Sequence, residues 1–213
     1  MLVCFASEKG GVGKTTVAAL LAERLTTLGV PLRLCDGDRQ ASLAAVAERA
    51  EGRMPVAVEV RPPEFPALAA APGLTLLDLP SGIGLEFNTA LSVAHHAIIP
   101  VAPSAFDLRT LPATLAQVRR AQELRGGLPR ALIVPNKIDL REPASKELLA
   151  ALARLGWSVS QTWLLERSVY RRMGAAGLGA LPRGARRLAD DEVAGLADEV
   201  LEVLGVGRRE EAA

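Results

Sequence analysis

Cysteine is scarce in this chain: only Cys4 and Cys35 occur among 213 residues. That excludes a disulfide framework and any cysteine-rich metal site. No apolar run reaches the ~18 residues that a membrane-spanning helix requires. The N-terminus shows no charged region, apolar stretch and small-residue cleavage site in the order of a signal peptide, so a reducing cytoplasm is the expected setting. Charge of one sign is also missing. Lys and Arg together number 25 and Asp and Glu 24, for a net charge of +1, which excludes a uniformly basic nucleic-acid binder but not a local basic patch. Lysine itself is rare. Of those 25 basic residues only Lys9, Lys14, Lys137 and Lys146 are lysines. Lys9 and Lys14 stand close together, where a compact ammonium fits a tight anion-binding loop better than a guanidinium does.

What is present is globular. Apolar residues make up 49% of the chain and charged residues 23%, enough for one domain over 1–213 with its own core. Short apolar runs alternate with helical periodicity. Strands are expected at Leu2–Ala6, Leu32–Cys35, Val56–Val60 (an edge), Leu74–Leu77, Ala97–Val101, Ala131–Val134 and Trp157–Trp163. Helices are expected at Thr15–Leu28, Gln40–Ala50, Leu85–Ala94, Leu108–Leu124, Pro143–Leu155 and Asp190–Leu204. Arg61–Pro72, rich in proline, reads as a loop with a short Ala-rich turn. His95 and His96 end a helix and are given no chemistry. Gly174–Arg187 reads as a surface loop and Gly205–Ala213 as a flexible tail. The alternation predicts an α/β fold: a doubly wound, mostly parallel sheet with helices on both faces.

The segment Glu8-Lys9-Gly10-Gly11-Val12-Gly13-Lys14-Thr15-Thr16 follows the first strand and opens the first helix. Glycines let backbone N–H groups close around phosphate oxygens, and the helix N-terminus adds partial positive charge. Lys14 is placed to reach the β- and γ-phosphates, and the Thr15 hydroxyl to complete a Mg²⁺ shell. The strict phosphate-loop pattern has Gly where Glu8 stands. Lysine-Gly-Gly-Val-Gly-Lys-Thr-Thr resembles instead the deviant Walker A motif of the ParA/MinD superfamily of P-loop ATPases, near its small ParA- and ParF-like partition members. The similarity runs from residue 1 to about residue 180. By this resemblance Lys9 reaches across a nucleotide-sandwich dimer to the partner's phosphates. Its early position in the loop, where it cannot cradle its own phosphates as Lys14 does, agrees with a role in trans. Lys9, Lys14 and Asp38 are then the catalytic residues. Lys9 to Thr16 and Asn136 hold the nucleotide.

Acidic residues end the next strands. Asp36 and Asp38 sit two apart after Leu32-Arg33-Leu34-Cys35, at the end of a parallel strand that faces the ligand crevice. The run resembles the family's Asp-x-Asp-Pro-Gln segment, which makes Asp38 the residue that orients the attacking water and Asp36 a support of the metal shell. Arg39 replaces the family's usual proline, which leaves the backbone path after Asp38 open. An acidic turn capping the helix at Gln40 is the plainer reading, and the two are compatible. Asp78, after Leu74-Thr75-Leu76-Leu77, resembles a Walker B residue holding a Mg²⁺ water. Gly82 and Gly84 free the following loop to respond to γ-phosphate. Metal contacts are therefore expected from Thr15, Asp36 and Asp78.

Asn136-Lys137-Ile138-Asp139 points another way. Asn-Lys-x-Asp is the guanine-reading motif of GTPases, whose Asp accepts two hydrogen bonds that adenine cannot offer. A GTPase also needs Asp-x-x-Gly, and here Asp78-Leu79-Pro80-Ser81 lacks the glycine. ParA-like proteins often carry Asn and a basic residue at this strand end, so ATP with Mg²⁺ is the expected cofactor and a GTPase the alternative. Further family-like segments are Ile98–Ser104 and Glu166–Gly174, the latter near the base and dimer face by resemblance.

The resemblance implies an ATP-dependent homodimer that binds DNA non-specifically and segregates a plasmid or chromosome. A ParB-like or small centromere-binding partner would stimulate slow hydrolysis. The same mechanism positioning a protein cargo on the nucleoid is the alternative, and the expected location is the nucleoid-bearing cytoplasm. Arg119, Arg120, Arg171 and Arg172 are the DNA candidates, with Arg125, Arg130, Arg183, Arg186 and Arg187 behind them; each reads equally as a solvated face. No helix-turn-helix precedes the phosphate loop, so operator binding is not expected. Membrane targeting is not expected either, because Asp190, Asp191, Glu192, Asp198, Glu199 and Glu202 give the last helix the wrong charge. Tyr170 as the lone tyrosine, and no cysteine after Cys35, argue against the family's tyrosine-kinase and iron–sulfur branches.

Overall fold

A computed structural model describes residues 1–170 and 183–206, with the side chains of 105–108 and 183–188 left aside. Seven strands form one parallel sheet in the order β3-β2-β4-β1-β5-β6-β7. They are β1 (Leu2–Phe5), β2 (Leu32–Asp36), β3 (Ala57–Glu59), β4 (Leu74–Asp78), β5 (His96–Val101), β6 (Arg130–Ile138) and β7 (Leu164–Leu165). The described helices are α1 (Lys14–Thr27), α2 (Ser42–Glu48), α3 (Phe65–Ala70), α4 (Leu85–Val93), α5 (Ala105–Leu124), α6 (Pro143–Leu152) and α7 (Arg183–Leu204). The expected doubly wound fold is what the chain adopts.

Two-residue alternation divides the core. Val3 and Phe5 of β1 face the layer built from α1, α2 and α7, through Val17, Leu21, Leu43, Val46, Leu196 and Val200. Leu2 and Cys4 face the other layer, where Phe65, Phe87, Leu91, Leu115 and Leu148 bring in α3 to α6. Both cysteines are buried small hydrophobes, and burial lifts their thiols, Cys35 to about 11.

The strand order sets the site. β4 lies between β2 and β1, so the register aligns Asp36 with Asp78 and Phe5 with Asp78 at one end of the sheet. The order reverses at β1, and the turn leaving β1 therefore opens into a crevice at the strands' C-terminal ends.

Several elements depart from the sequence reading. Arg61–Pro72 is largely helical: a 3₁₀ turn at Pro62–Glu64 runs into α3, because prolines occupy its first turns and Glu64 accepts from the Arg61 N–H. Trp157–Trp163 is not a strand. Only Val159 bridges to Ile133, and the N–H groups of Gln161 and Thr162 donate to the Glu199 carboxylate instead. Pairing moves on to β7. α4 stops before the histidines: His96 opens β5, and His95 Nδ1 accepts from the Leu2 N–H. α7 begins at Arg183, earlier than its apolar periodicity indicates. Gly205 and Val206 close its end, with Val206 N–H donating to the Leu201 carbonyl. Residues 207–213, most of the expected tail, lie outside the described residues.

Candidate nucleotide site

The loop between β1 and α1 takes its shape from glycine at positions that reject other residues. Gly11 and Gly13 have φ of 78° and 98°. At Gly13 a Cβ would lie 2.2 Å from Asn136 Nδ2. That amide is buried and donates to the Val12 carbonyl at 2.7 Å, clamping the end of β6 onto the loop. Lys137, itself at φ 57°, donates from Nζ to the Gly11 carbonyl at 2.7 Å. The pairing of β6 with β7 shifts register between Asn136 and Ile138, and the irregularity is what turns residue 137 aside from the regular ladder.

Lys14 starts α1, and its side chain is buried, with Nζ donating to Ser81 Oγ at 2.8 Å. Desolvation lowers its pKa; the carboxylates of Asp78 and Asp38 oppose that shift. Lys9 points elsewhere and donates to Ser104 Oγ at 2.9 Å, at the entry to α5. The two lysines are thus separated by the loop, one in the crevice and one against the β5–α5 turn. The Glu8 N–H donates to Thr114 Oγ1, which ties the loop to α5 as well.

Thr15 Oγ1 donates to Asp78 Oδ2 at 2.5 Å. The second oxygen, Oδ1, is buried and has no hydrogen-bond partner. Burial pushes Asp78 up to about 7, the Thr15 hydroxyl pulls it down, and the neighbouring Asp36 adds to the rise. A hydroxyl beside a carboxylate with an unused buried oxygen is a hard-oxygen donor set that fits Mg²⁺. Among the described residues no three His, Cys, Asp or Glu side chains gather into a cage. Magnesium ordinarily needs none, since phosphates and water complete its shell.

Asp36 is put to a different use from the one expected of it. Fully buried, it accepts at Oδ1 from the Asp38 N–H and at Oδ2 from the N–H groups of Leu43 and Ala44, at 2.8 and 3.0 Å. Those contacts cap α2 and fix the turn, and they occupy both oxygens with backbone donors. Asp38 is half-buried, lines the crevice and accepts from the Gln40 N–H at 3.0 Å. The Ala41 N–H closes back on the Asp38 carbonyl, so Arg39 takes the second place of a β-turn, where proline fits equally.

The crevice measures ≈540 Å³ and is lined by Gly11, Gly13, Lys14, Thr15, Thr16, Asp38, Ser81 and Lys137, with α2 residues on its far wall. Sequence reasoning did not give Ser81 or Ser104 their lysines. The only sequence signal for Ser81 is its place three residues after Asp78; in the fold it faces Gly10, where a Cβ would come within 3.3 Å of its Oγ.

Among the described residues the basic candidates do not form one surface. Arg119 lies over the Trp157 ring at 5.3 Å and lines a pocket with Arg130. Arg120 lines a different groove, between α4 and α5. Arg125 is a cap: its guanidinium donates to the carbonyls of Leu91, Val93 and Ala94 at the end of α4. Arg171 and Arg172 lie outside the described residues, and the side chains of Arg183, Arg186 and Arg187 are likewise not described. No described helix is long and apolar enough to cross a membrane.

A glycine-shaped turn between a central parallel strand and a helix, with lysine, threonine and a strand-end carboxylate converging on it, defines a P-loop nucleotide-binding protein. Residues 3–178 match the CobQ/CobB/MinD/ParA nucleotide binding domain, and the chain belongs to that family. It is 28% identical over 205 residues to maintenance of carboxysome distribution protein A of Halothiobacillus neapolitanus, covering 92% of this chain and 94% of the relative. It is 24% identical over 180 residues to protein ParA of Rhizobium radiobacter, covering 79% and 80%. The fold is shared with the ATP complex of a point variant of Cyanothece McdA, at a TM-score of 0.75 and 17% identity over 99% of this chain and 98% of that one. It is shared as well with Pyrococcus horikoshii MinD complexed with Mg-ADP, at 0.71 and 20% over 96% and 97%. The expected ParA/MinD membership therefore holds, within a family of nucleotide-binding ATPases that includes positioning and partition proteins.

Proposed function

We propose that this chain is a positioning ATPase whose switch is an ATP-dependent homodimer. The observation that carries the reading is the division of labour between two lysines. Lys14 is buried in the crevice beside Thr15 and Asp78, while Lys9 is held on the loop's other flank against Ser104. In this reading Lys14 serves the chain's own phosphates and Lys9 those of a second subunit. Gly10 to Thr16 and Asn136 shape the phosphate site. Asp38 orients the water that attacks the γ-phosphate, and Lys14 stabilises charge on the transferring group. Thr15 and Asp78 hold Mg²⁺, which when bound would neutralise charge on the phosphate oxygens. Asp36 supports this arrangement from behind by fixing the turn that carries Asp38.

The cargo has two readings. Partition of DNA through non-specific binding by the ATP dimer, with release stimulated by a ParB-like or small centromere-binding partner, is supported by the match to ParA. Positioning of a protein assembly on the nucleoid is favoured by the longer and more identical match to the carboxysome distribution protein. In either case Arg119 and Arg120 are candidates for DNA contacts, on separate faces of α5.

Sizing with light scattering tests the switch. Mg-ATP should convert wild-type monomer to dimer, ADP should not, and Lys9→Ala should bind ATP yet stay monomeric. A Lys9→Ala chain that dimerises as wild type would refute the in-trans role. DNA retardation with ATP, compared with ADP, then tests the nucleoid reading.

A further inference from the structure

The end of β6 carries the residues of an Asn-Lys-x-Asp guanine-reading motif, and Arg141 pairs with its aspartate. Asn136 clamps the loop through the Val12 carbonyl, and Lys137 through that of Gly11. Lys137 lines the crevice, so the nucleobase of a ligand whose phosphates lie in this loop would fall near the same strand end. Two residues on, Asp139 stands at the entry to α6. Its backbone is fixed by its N–H donating to Ser145 Oγ and by the Glu142 N–H donating to its carbonyl. A carboxylate there selects guanine, whose ring N–H and exocyclic amine offer two adjacent donors. Adenine presents one donor beside an acceptor, which a carboxylate repels.

Both oxygens of Asp139 are already taken. Arg141 donates its backbone N–H and Nε to Oδ1, at 3.0 and 2.9 Å, and Nη2 to Oδ2 at 2.6 Å. The pair closes over a two-residue span, so little freedom is lost in making it, and it holds the Asp139 carboxyl down to about 2. The guanidinium is almost wholly exposed (side chain 89%), so the pair is screened and displaceable. It is therefore a bias and not a lock.

We propose that Arg141 is a specificity-determining residue: by occupying the Asp139 carboxylate it removes the guanine preference that Asn136, Lys137 and Asp139 would otherwise impose, and so leaves the site to adenine nucleotides. The inference rests on the ATP-site reading above and assigns the base selectivity of that site. Arg141 acts through Asp139 and touches no reacting atom.

Calorimetric titration of the full chain with Mg-ATP and with Mg-GTP, at one ionic strength, tests it. Wild type should bind ATP at least as tightly as GTP. Arg141→Ala, a change at an exposed loop position, should improve GTP affinity about tenfold and leave ATP within about twofold. Asp139→Asn added to Arg141→Ala should abolish the gain, because the amide presents one acceptor and not two. An unchanged GTP/ATP ratio in Arg141→Ala, or a gain that survives Asp139→Asn, overturns the proposal while ATP binding stands. A wild-type chain that binds neither nucleotide overturns the ATP-site reading and this inference with it.

Discussion

Asn136 and Gly13 meet so closely that no side chain can stand at position 13. The buried amide nitrogen of Asn136 would lie 2.2 Å from a Cβ there, and the backbone is left-handed at φ 98°. Position 13 is thus constrained twice, by space and by conformation. Gly13→Ala should cost about 1–3 kcal/mol in a thermal or urea melt and abolish binding of a fluorescent ATP analogue. Adding Asn136→Ala makes room for the methyl group but leaves the φ strain, so the double variant should recover stability only in part and binding not at all.

The two lysines of the loop should separate in assay. Lys14→Ala removes a buried ammonium aimed into the crevice and should eliminate nucleotide binding by calorimetry. Asp38→Ala should leave ATP bound and dimers formed but stop phosphate release. Tight ATP binding by Lys14→Ala would contradict the loop assignment, and unchanged turnover by Asp38→Ala would remove that residue from the chemistry.

Asp36 and Asp78 are register partners on β2 and β4 with opposite tasks. Asp36→Ala orphans three backbone N–H groups and the α2 terminus, and should destabilise the chain by roughly 2–4 kcal/mol in denaturant melts. Asp78→Asn removes a buried carboxylate whose ionisation burial opposes, and should leave the nucleotide-free chain at least as stable at neutral pH while weakening Mg²⁺-dependent nucleotide affinity. If Asp36→Asn impaired magnesium dependence as strongly as Asp78→Asn with no loss of stability, the capping assignment would be wrong.

Asp78 also fixes a pH dependence. Its folded pKa, about 7, is raised above the ordinary value of 3.8 by burial. Between those values the folded chain binds more protons than the unfolded one, so stability contributed by this group is present below pH 3.8 and lost as pH rises through 7. Nucleotide-free protein should therefore melt lower at pH 8 than at pH 6, and Asp78→Asn should flatten that slope. Magnesium requires the ionised carboxylate, so Mg-nucleotide affinity should rise across the same interval. A wild-type melting profile that matches Asp78→Asn over this range would count against it.

Arg125 was legible as a basic residue but not as a cap. Arg125→Ala should lose about 1–2 kcal/mol of stability, through the three carbonyls it serves at the end of α4. Retardation of DNA should not change.

Much of the fold could be read from short-range pattern. Apolar runs such as Leu74–Leu77 and the glycines of the loop carry their conformation locally. The strand misplaced at Trp157–Trp163 could not, because what decides it is Glu199 of α7, some forty residues away, taking the N–H groups a ladder would need. The same holds at the site. Lys14, Thr15 and Asp78 announce themselves by spacing, whereas the division between Asp36 and Asp38 depends on which backbone donors the folded turn presents. Arg39 looked disruptive beside a motif with proline, yet the β-turn it enters accepts arginine and proline alike. Asp139 carried a motif, but its pairing with Arg141 is a matter of rotamer.

The last helix is the footing of the first loop. Leu196, Ala197, Val200 and Leu201 of α7 share one packed layer with Val17, Leu21 and Leu25 of α1, the helix that Lys14 opens. Shortening the chain ahead of α7 would bare the underside of α1 to water, so a truncation made at the far terminus would register at the phosphates.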